Sequence, residues 1–234
     1  ALPEIQEQLA AELAQTGKPL VLVLSSGRPL ELCRLEPLCG AMVQMWQPGI
    51  RGGNPLAGIL SGRINPSGRL AMTFPRSTGQ IPIYYNRRQS GRTHQGKYQD
   101  IPSTPLYEFG HGLSYTTFDI ANVRADRTSL ATTGRLRVSA DVTNTGGRAG
   151  AEVVQLYIGD KLSSQPRPVK ELKGFQKVSL NPGQTRTVTF EITPGMLQYY
   201  DDAKGAWVAE PGAFTAYVGA ASDDIRGTVE FELK

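Results

Sequence analysis

The chain has 234 residues, of which 39% are hydrophobic and 20% charged, with a formal net charge of +4. That mixture suits folded domains with buried cores and excludes wholesale disorder, and the length fits one large domain or two ordinary ones. Lysine and arginine are scattered rather than massed, which argues against a nucleic-acid partner, and no apolar run approaches the ~18 residues of a membrane-spanning helix.

In chain order, Pro3 to Gln15 reads as an amphipathic helix. Ile5, Leu9 and Leu13 recur every four positions, Pro3 suits a first helical turn and Gly17 a stop. The N-terminus lacks a secretory signal pattern. It opens on Ala1, already inside this helix, so the sequence is expected to be a piece of something longer. Leu20 to Leu24 is apolar at every position, as in a parallel strand covered on both faces. Ala41 to Trp46 is the next strand, followed by the Gly-rich turn Pro48–Gly53 and a short helix from Asn54-Pro55 with Leu56, Ile59 and Leu60 inward. This is α/β grammar with too few strands for a complete doubly wound sheet.

From Asn65 to about Tyr115 periodicity fades into a stretch rich in Pro, Gly, Arg and Tyr, including Tyr84-Tyr85, Arg87-Arg88 and Gly91-Arg92. We read it as a connector packed across its neighbours by its aromatic residues. Beyond Phe118 the period becomes two. Leu136, Val138, Ala140 and Val142 alternate with polar residues, as do Val188, Phe190 and Ile192, then Phe214, Ala216 and Val218, then Val229, Phe231 and Leu233. Turn chemistry at Asn144–Gly147, Asn181-Pro182-Gly183, Lys204-Gly205 and Glu210-Pro211-Gly212 separates these runs. With Val153–Ile158 and Val169–Val178, about seven strands are predicted, the count of a β-sandwich. The expected fold class is therefore α/β plus all-β: a partial parallel-sheet α/β domain over 1–75, a connector over 76–115 and a sandwich over 116–234.

Few residues offer chemistry. Cys33 and Cys39 lack metal or redox spacing and read as idle thiols. The histidines, His94 and His111, both fall in the connector; His111 sits between two glycines, as in a turn. Together with the lack of a Gly-x-Ser-x-Gly elbow, this argues against a serine–histidine triad or a multi-histidine metal centre. Pro48–Asn54 lacks the ending of a phosphate-binding loop and reads as a tight strand-to-helix turn. Asp201-Asp202 and Asp223-Asp224 read as solvated rim residues, too few in oxygen ligands for calcium. Glu31 and Glu36 flank a loop with no sign of a raised-pKa environment. No cofactor, metal ligand or catalytic residue is assigned. Trp46 and Arg51 bracket the carboxyl end of a presumed parallel strand, where open α/β sheets place ligands, and are the candidate substrate-binding residues. The plainer reading makes Trp46 core and Arg51 solvated.

Several segments, in fixed order, resemble the C-terminal part of family 3 glycoside hydrolases of the β-glucosidase type. They are Gly17-Lys18-Pro19 with Gly27-Arg28-Pro29, then Trp46–Asn54, Asn65-Pro66-Ser67-Gly68-Arg69-Leu70 running to Thr73-Phe74-Pro75, and Phe109–Phe118. Val142–Gly146, Arg167–Phe175 and Glu210-Pro211-Gly212 continue the match. The resemblance implies an N-terminal (β/α)₈ barrel, an α/β sandwich domain and a fibronectin type III-like domain. It also implies retaining hydrolysis by an aspartate nucleophile on the barrel and a glutamate acid/base shortly before the position matching Leu2-Pro3. Neither matching segment lies in these residues, so the chain alone is expected to be inactive, its β-glucoside or oligosaccharide substrate engaged through the barrel. The family often has Glu where Arg51 stands and Pro where Ala71 stands. The resemblance further suggests a periplasmic or extracellular setting. A β-xylosidase, or a stand-alone carbohydrate-binding or surface-attachment sandwich, is the alternative; for the latter, the outward-facing aromatic candidates Tyr157 and Tyr217 are too few to form a sugar platform.

Overall fold

The computed structural model describes residues 1–88 and 100–234; His94 and Gly91-Arg92 of the connector lie outside them. Chain contacts gather into two compact units. The first comprises Ala1–Ile64, Ala71–Tyr84 and 100–109, the second Asn65–Leu70, 85–88 and Gly110–Lys234.

In the first unit, helix α1 spans Glu4–Gln15, with Pro3 as its N-cap. Gly17 follows at φ +70°, a left-handed turn residue that ends it. Its apolar stripe is turned outward: Ile5, Leu9 and Leu13 are exposed, while Ala10 is buried. Strands β1 (Val21–Leu24) and β2 (Ala41–Gln44) pair in parallel, as the unbroken apolar run of β1 predicts. The two-sided cover expected of β1 is not present among the described residues. Leu24 is buried but Val21 and Val23 are 43% and 37% exposed, because one paired strand and little packing lie against them. Helix α2 spans Gly53–Leu60 and buries Gly58 against Ile64, whose side chain fills the place a Cβ would need. Leu56 and Ile59 are half-buried as expected, but Leu60, the last residue of the helix, is 51% exposed rather than inward.

The second unit is the sandwich. One antiparallel sheet has the order β3 (Phe118–Ala125), β5 (Leu136–Asn144) and β8 (Thr185–Ile192). The other runs β4 (Ser129–Leu130), β12 (Ile225–Leu233), β11 (Gly212–Gly219), β6 (Gly150–Asp160), β7 (Glu171–Leu180), with β4 joined in parallel. A separate hairpin, β9 (Tyr199–Asp201) with β10 (Ala206–Val208), follows β8. Among the described residues the sandwich therefore has eight strands, where the pattern predicts about seven. The pattern hides β3 because a bulge with Asn122 at φ +53° breaks its alternation, and β4 is only two residues long.

The predicted alternation is the core. Leu136, Val138, Ala140 and Val142 face Leu156, Ile158, Val218 and Phe231 across the sandwich, all buried. Phe214 and Phe231 stack with centroids 5.7 Å apart. At roughly 25 cal/mol per Å², this contiguous apolar layer is the main source of the unit's stability.

Candidate functional site

In the first unit the carboxyl ends of β1 and β2 lie side by side, which brings Ser25, Ser26 and Gly27 next to Trp46 and Gln47. Trp46 sits at φ +53°, a costly conformation for a bulky residue. Neighbouring groups hold it there. The Met45 N–H donates to the Leu24 carbonyl at 2.8 Å, and Ser25 Oγ donates to the Trp46 carbonyl at 3.2 Å. The indole packs at 6.0 Å from Phe74, which in turn meets Tyr107 edge-on at 6.4 Å. Phe74 is 2% exposed, and its N–H donates to the Tyr107 carbonyl at 2.8 Å. Trp46 is thus a half-buried member of an aromatic ladder that fixes the rim.

Arg51 lies two residues beyond Gly49, in the turn leading to α2, and is exposed. Pro48 to Asn54 is a strand-to-helix turn. Gly49 takes φ +66°, and a Cβ on Gly52 would meet Pro48 at 2.5 Å, so the turn needs both glycines. Gln44, at the end of β2, donates from Nε2 to the Ser26 carbonyl and hydroxyl, and its Oε1 is buried without a partner.

Of the two loop acids in this unit, Glu31 is committed to Thr78. Glu31 accepts from the Thr78 N–H at 2.7 Å and its hydroxyl at 2.9 Å, and these bonds, the backbone one first, hold the carboxyl below its ordinary range. A general acid needs the opposite shift. Glu36 is exposed in a short helical turn, and Cys33 and Cys39 are free, half-buried thiols. Burial pushes the Cys39 thiol up, which disfavours its thiolate form.

The second unit shows what the loop motifs do. Asn65 accepts at Oδ1 from Ser114 Oγ (2.9 Å) and the Tyr115 N–H (2.8 Å), and donates to the Ala149 carbonyl at 3.0 Å. Arg69 forms an ion pair with Glu152 in which both side chains are 8% exposed. The Leu70 N–H donates to the His111 carbonyl, and the Gly110 N–H to the Leu70 carbonyl. His111 is therefore part of a backbone clasp, with burial lowering its pKa. Gly110 at φ +85° and Gly112 leave no room for side chains, which explains the Gly-His-Gly sequence.

Tyr85 extends this clasp. Its hydroxyl accepts from the Leu172 N–H at 3.1 Å, and its ring meets Tyr157 at 5.7 Å. Tyr157 is consequently fully buried, not outward as alternation suggested, because the 85–88 segment covers that face of the sheet; Tyr217 is half-buried. Asp201 is likewise buried rather than solvated, accepting from the Ala203 and Lys204 N–H groups. Asp224 pairs with Arg226 and Asp223 is exposed. An open polar hollow of about 540 Å³ lies beside Asn65, Ser67, Gly150, Asn181, Gln184 and Arg186, and no carboxylate lines it. No group of three or more metal-ligating side chains occurs among the described residues.

Residues 1–115 match the glycosyl hydrolase family 3 C-terminal domain, and residues 152–222 the fibronectin type III-like domain. The chain belongs to glycoside hydrolase family 3. Its resemblance extends along nearly the whole chain. It is 42% identical to a periplasmic β-glucosidase of Salmonella typhimurium, covering 96% of this chain and 30% of the relative. It is 41% identical to a β-xylosidase of Formosa agariphila, covering 98% and 32%. A crystal structure of a mutant β-glucosidase from Listeria innocua in complex with laminaribiose is 40% identical and superposes with a TM-score of 0.92, covering 100% of this chain and 33% of that one. The chain thus spans about a third of the length of these family 3 relatives. Among the described residues no helix is long and apolar enough to cross a membrane.

Trp46 and Arg51 both follow the carboxyl end of β2 in the chain, but the sequence does not reveal the groups that fix this rim. Phe74 and Tyr107 are 28 and 61 residues from Trp46, and no local pattern links them. The Thr73-Phe74-Pro75 motif was the available signal.

Proposed function

We propose that these residues act as the C-terminal part of a retaining, exo-acting β-glucosidase that releases terminal non-reducing β-D-glucosyl residues. The observation that carries this reading is similarity along nearly the whole of this chain, at about 40% identity, to about a third of the length of β-glucosidases, one of them solved with laminaribiose bound. Retaining hydrolysis needs two carboxyl groups about 5–5.5 Å apart, one of them held protonated. In this reading Trp46 and Arg51, beyond the β2 end, are the substrate-binding groups, while Glu31 is tied to Thr78 as a charged acceptor. The role proposed for this chain is to shape and support the site, and for the 234 residues alone we propose no turnover. An exported setting, periplasmic or extracellular, accords with the Salmonella relative.

The test compares the complete gene product with residues 1–234 on aryl β-glucoside and aryl β-xyloside, following the anomer released. Glucoside turnover with retention by the complete product, and none by the 234 residues, is the expected result. Activity of the 234 residues that survives repurification would overturn the scaffold role. Preference for the xyloside would favour the second reading, a β-xylosidase, which the Formosa relative supports.

A further inference from the structure

We propose that the β9–β10 hairpin carries a second sugar-binding site, in which Tyr200 and Trp207 stack a β-linked gluco-oligosaccharide. The two residues are direct cross-strand partners. Their rings lie 5.7 Å apart at 72°, forming a corner rather than a flat plate. Tyr200 is 51% and Trp207 65% exposed, although their size would ordinarily place them in a core.

The hairpin beneath them is firmly held. Asp201 is 5% exposed, accepts from the Ala203 N–H at 3.0 Å and pairs with Lys204 Nζ at 3.1 Å across the turn. Tyr199 faces the other way, lying 4.9 Å under the Arg167 guanidinium and 3.1 Å from Ser164 Oγ through its hydroxyl. Arg167 is itself anchored by Asp160 and Glu171. The aromatic corner is thus presented on a rigid support, so a ligand would order little on binding.

The shape of the patch selects the occupant. A stable contact with another protein needs roughly 800 Å² from each partner, whereas two aromatic side chains supply at most about 300–500 Å² between them. The other exposed residues of the hairpin, Asp202, Ala203, Lys204, Gly205 and Ala206, are small or charged and do not extend an apolar surface. A β-glucosyl ring fits this size. Its equatorial hydroxyls leave both faces lined with C–H groups, one of which can lie on the indole while the tyrosine forms a wall. Asp202 and Lys204 provide nearby partners for hydroxyls. The choice of a β-linked glucose chain rests on the β-glucosidase reading above; the stacking corner does not.

The experiment is electrophoresis of the 234-residue chain in native gels containing laminarin, with dextran, an α-linked glucan, as control. Retardation by laminarin alone is expected, with affinity falling roughly ten-fold in W207A and by a similar factor in Y200A. In a W46F background Trp207 is the sole indole, and laminarin should shift its fluorescence, which reads binding without requiring the alanine variants to fold. Unchanged migration and fluorescence of the parent chain would overturn the proposal. So would equal retardation of W207A with its circular dichroism intact, or a concentration-dependent dimer that W207A dissolves while laminarin has no effect. If the complete gene product hydrolyses glucosides and laminarin leaves the 234 residues unmoved, the second site alone fails. Retardation without hydrolysis would instead count against the proposed enzymatic role.

Discussion

Removing the Glu152 carboxylate should be among the most damaging single changes to the sandwich. Arg69 and Glu152 are each 8% exposed, so their charges are held largely out of water. Glu152 Oε1 also accepts from the Val153 N–H at 2.7 Å, whereas Arg69 Nε is buried without a partner. Glu152→Ala leaves the guanidinium uncompensated and strips Val153 of its acceptor. Breaking a buried pair in this way costs about 3–5 kcal/mol. Against a typical domain stability of about 5–15 kcal/mol, such a loss should lower the urea midpoint by 1 M or more at a slope of roughly 1–3 kcal/mol/M. Because Arg69 is already incompletely bonded, the pair contributes little net over apolar packing. Arg69→Met with Glu152→Met should therefore recover most of the loss, to within about 1 kcal/mol of the parent. Urea unfolding followed by far-ultraviolet circular dichroism measures all three chains. A loss below about 1 kcal/mol in Glu152→Ala, or a double variant as unstable as the sum of its parts, would refute this account.

Three further predictions use the same assay. Asn144 is fully buried and makes four bonds, accepting from Thr116 Oγ1 and the Gly146 N–H and donating to the Arg148 and Leu180 carbonyls, so Asn144→Ala should cost about 3 kcal/mol; a change under 1 kcal/mol would show those groups finding other partners. Gly110→Ala imposes a side chain at φ +85° whose Cβ would stand 2.3 Å from Gln155 Oε1, and should cost roughly 2 kcal/mol, with faster hydrogen exchange at Leu70 and Gly110 as its local signature. Glu210 is held down to about 2 by the Ser164 hydroxyl and N–H, so its bonds to the 163–164 turn stabilise the fold above the ordinary carboxylate value of 4.5 and are lost as pH falls through about 2. Glu210→Gln should accordingly flatten the acid limb of the stability curve between those two values, and an unchanged limb would rule out this carboxylate as its source.

Local chemistry made much of the architecture readable. The unbroken apolar run at β1 announced a parallel sheet, and alternation in β5, β8, β11 and β12 announced which residues form the sandwich core. The ordered motifs from Gly17 to Gly212 identified the family. The candidate rim was only partly legible. Trp46 and Arg51 could be placed at a strand end by position, but the ladder through Phe74 and Tyr107 joins residues far apart in the chain.

By itself the sequence determined the elements, their faces and the family, because periodicity and turn chemistry act between residues a few positions apart. Only the tertiary structure decided what covers each face. Alternation turns Tyr157 to the outside of its sheet, and Tyr85, 72 residues earlier, then buries it. Helical spacing sets Ile5, Leu9 and Leu13 on one stripe, and the fold leaves that stripe exposed. Tyr200 and Trp207 also fall on one hairpin face by register, yet the described residues leave both more than half exposed. Burial depends on segments distant in sequence arriving at a surface, which a short-range pattern does not encode.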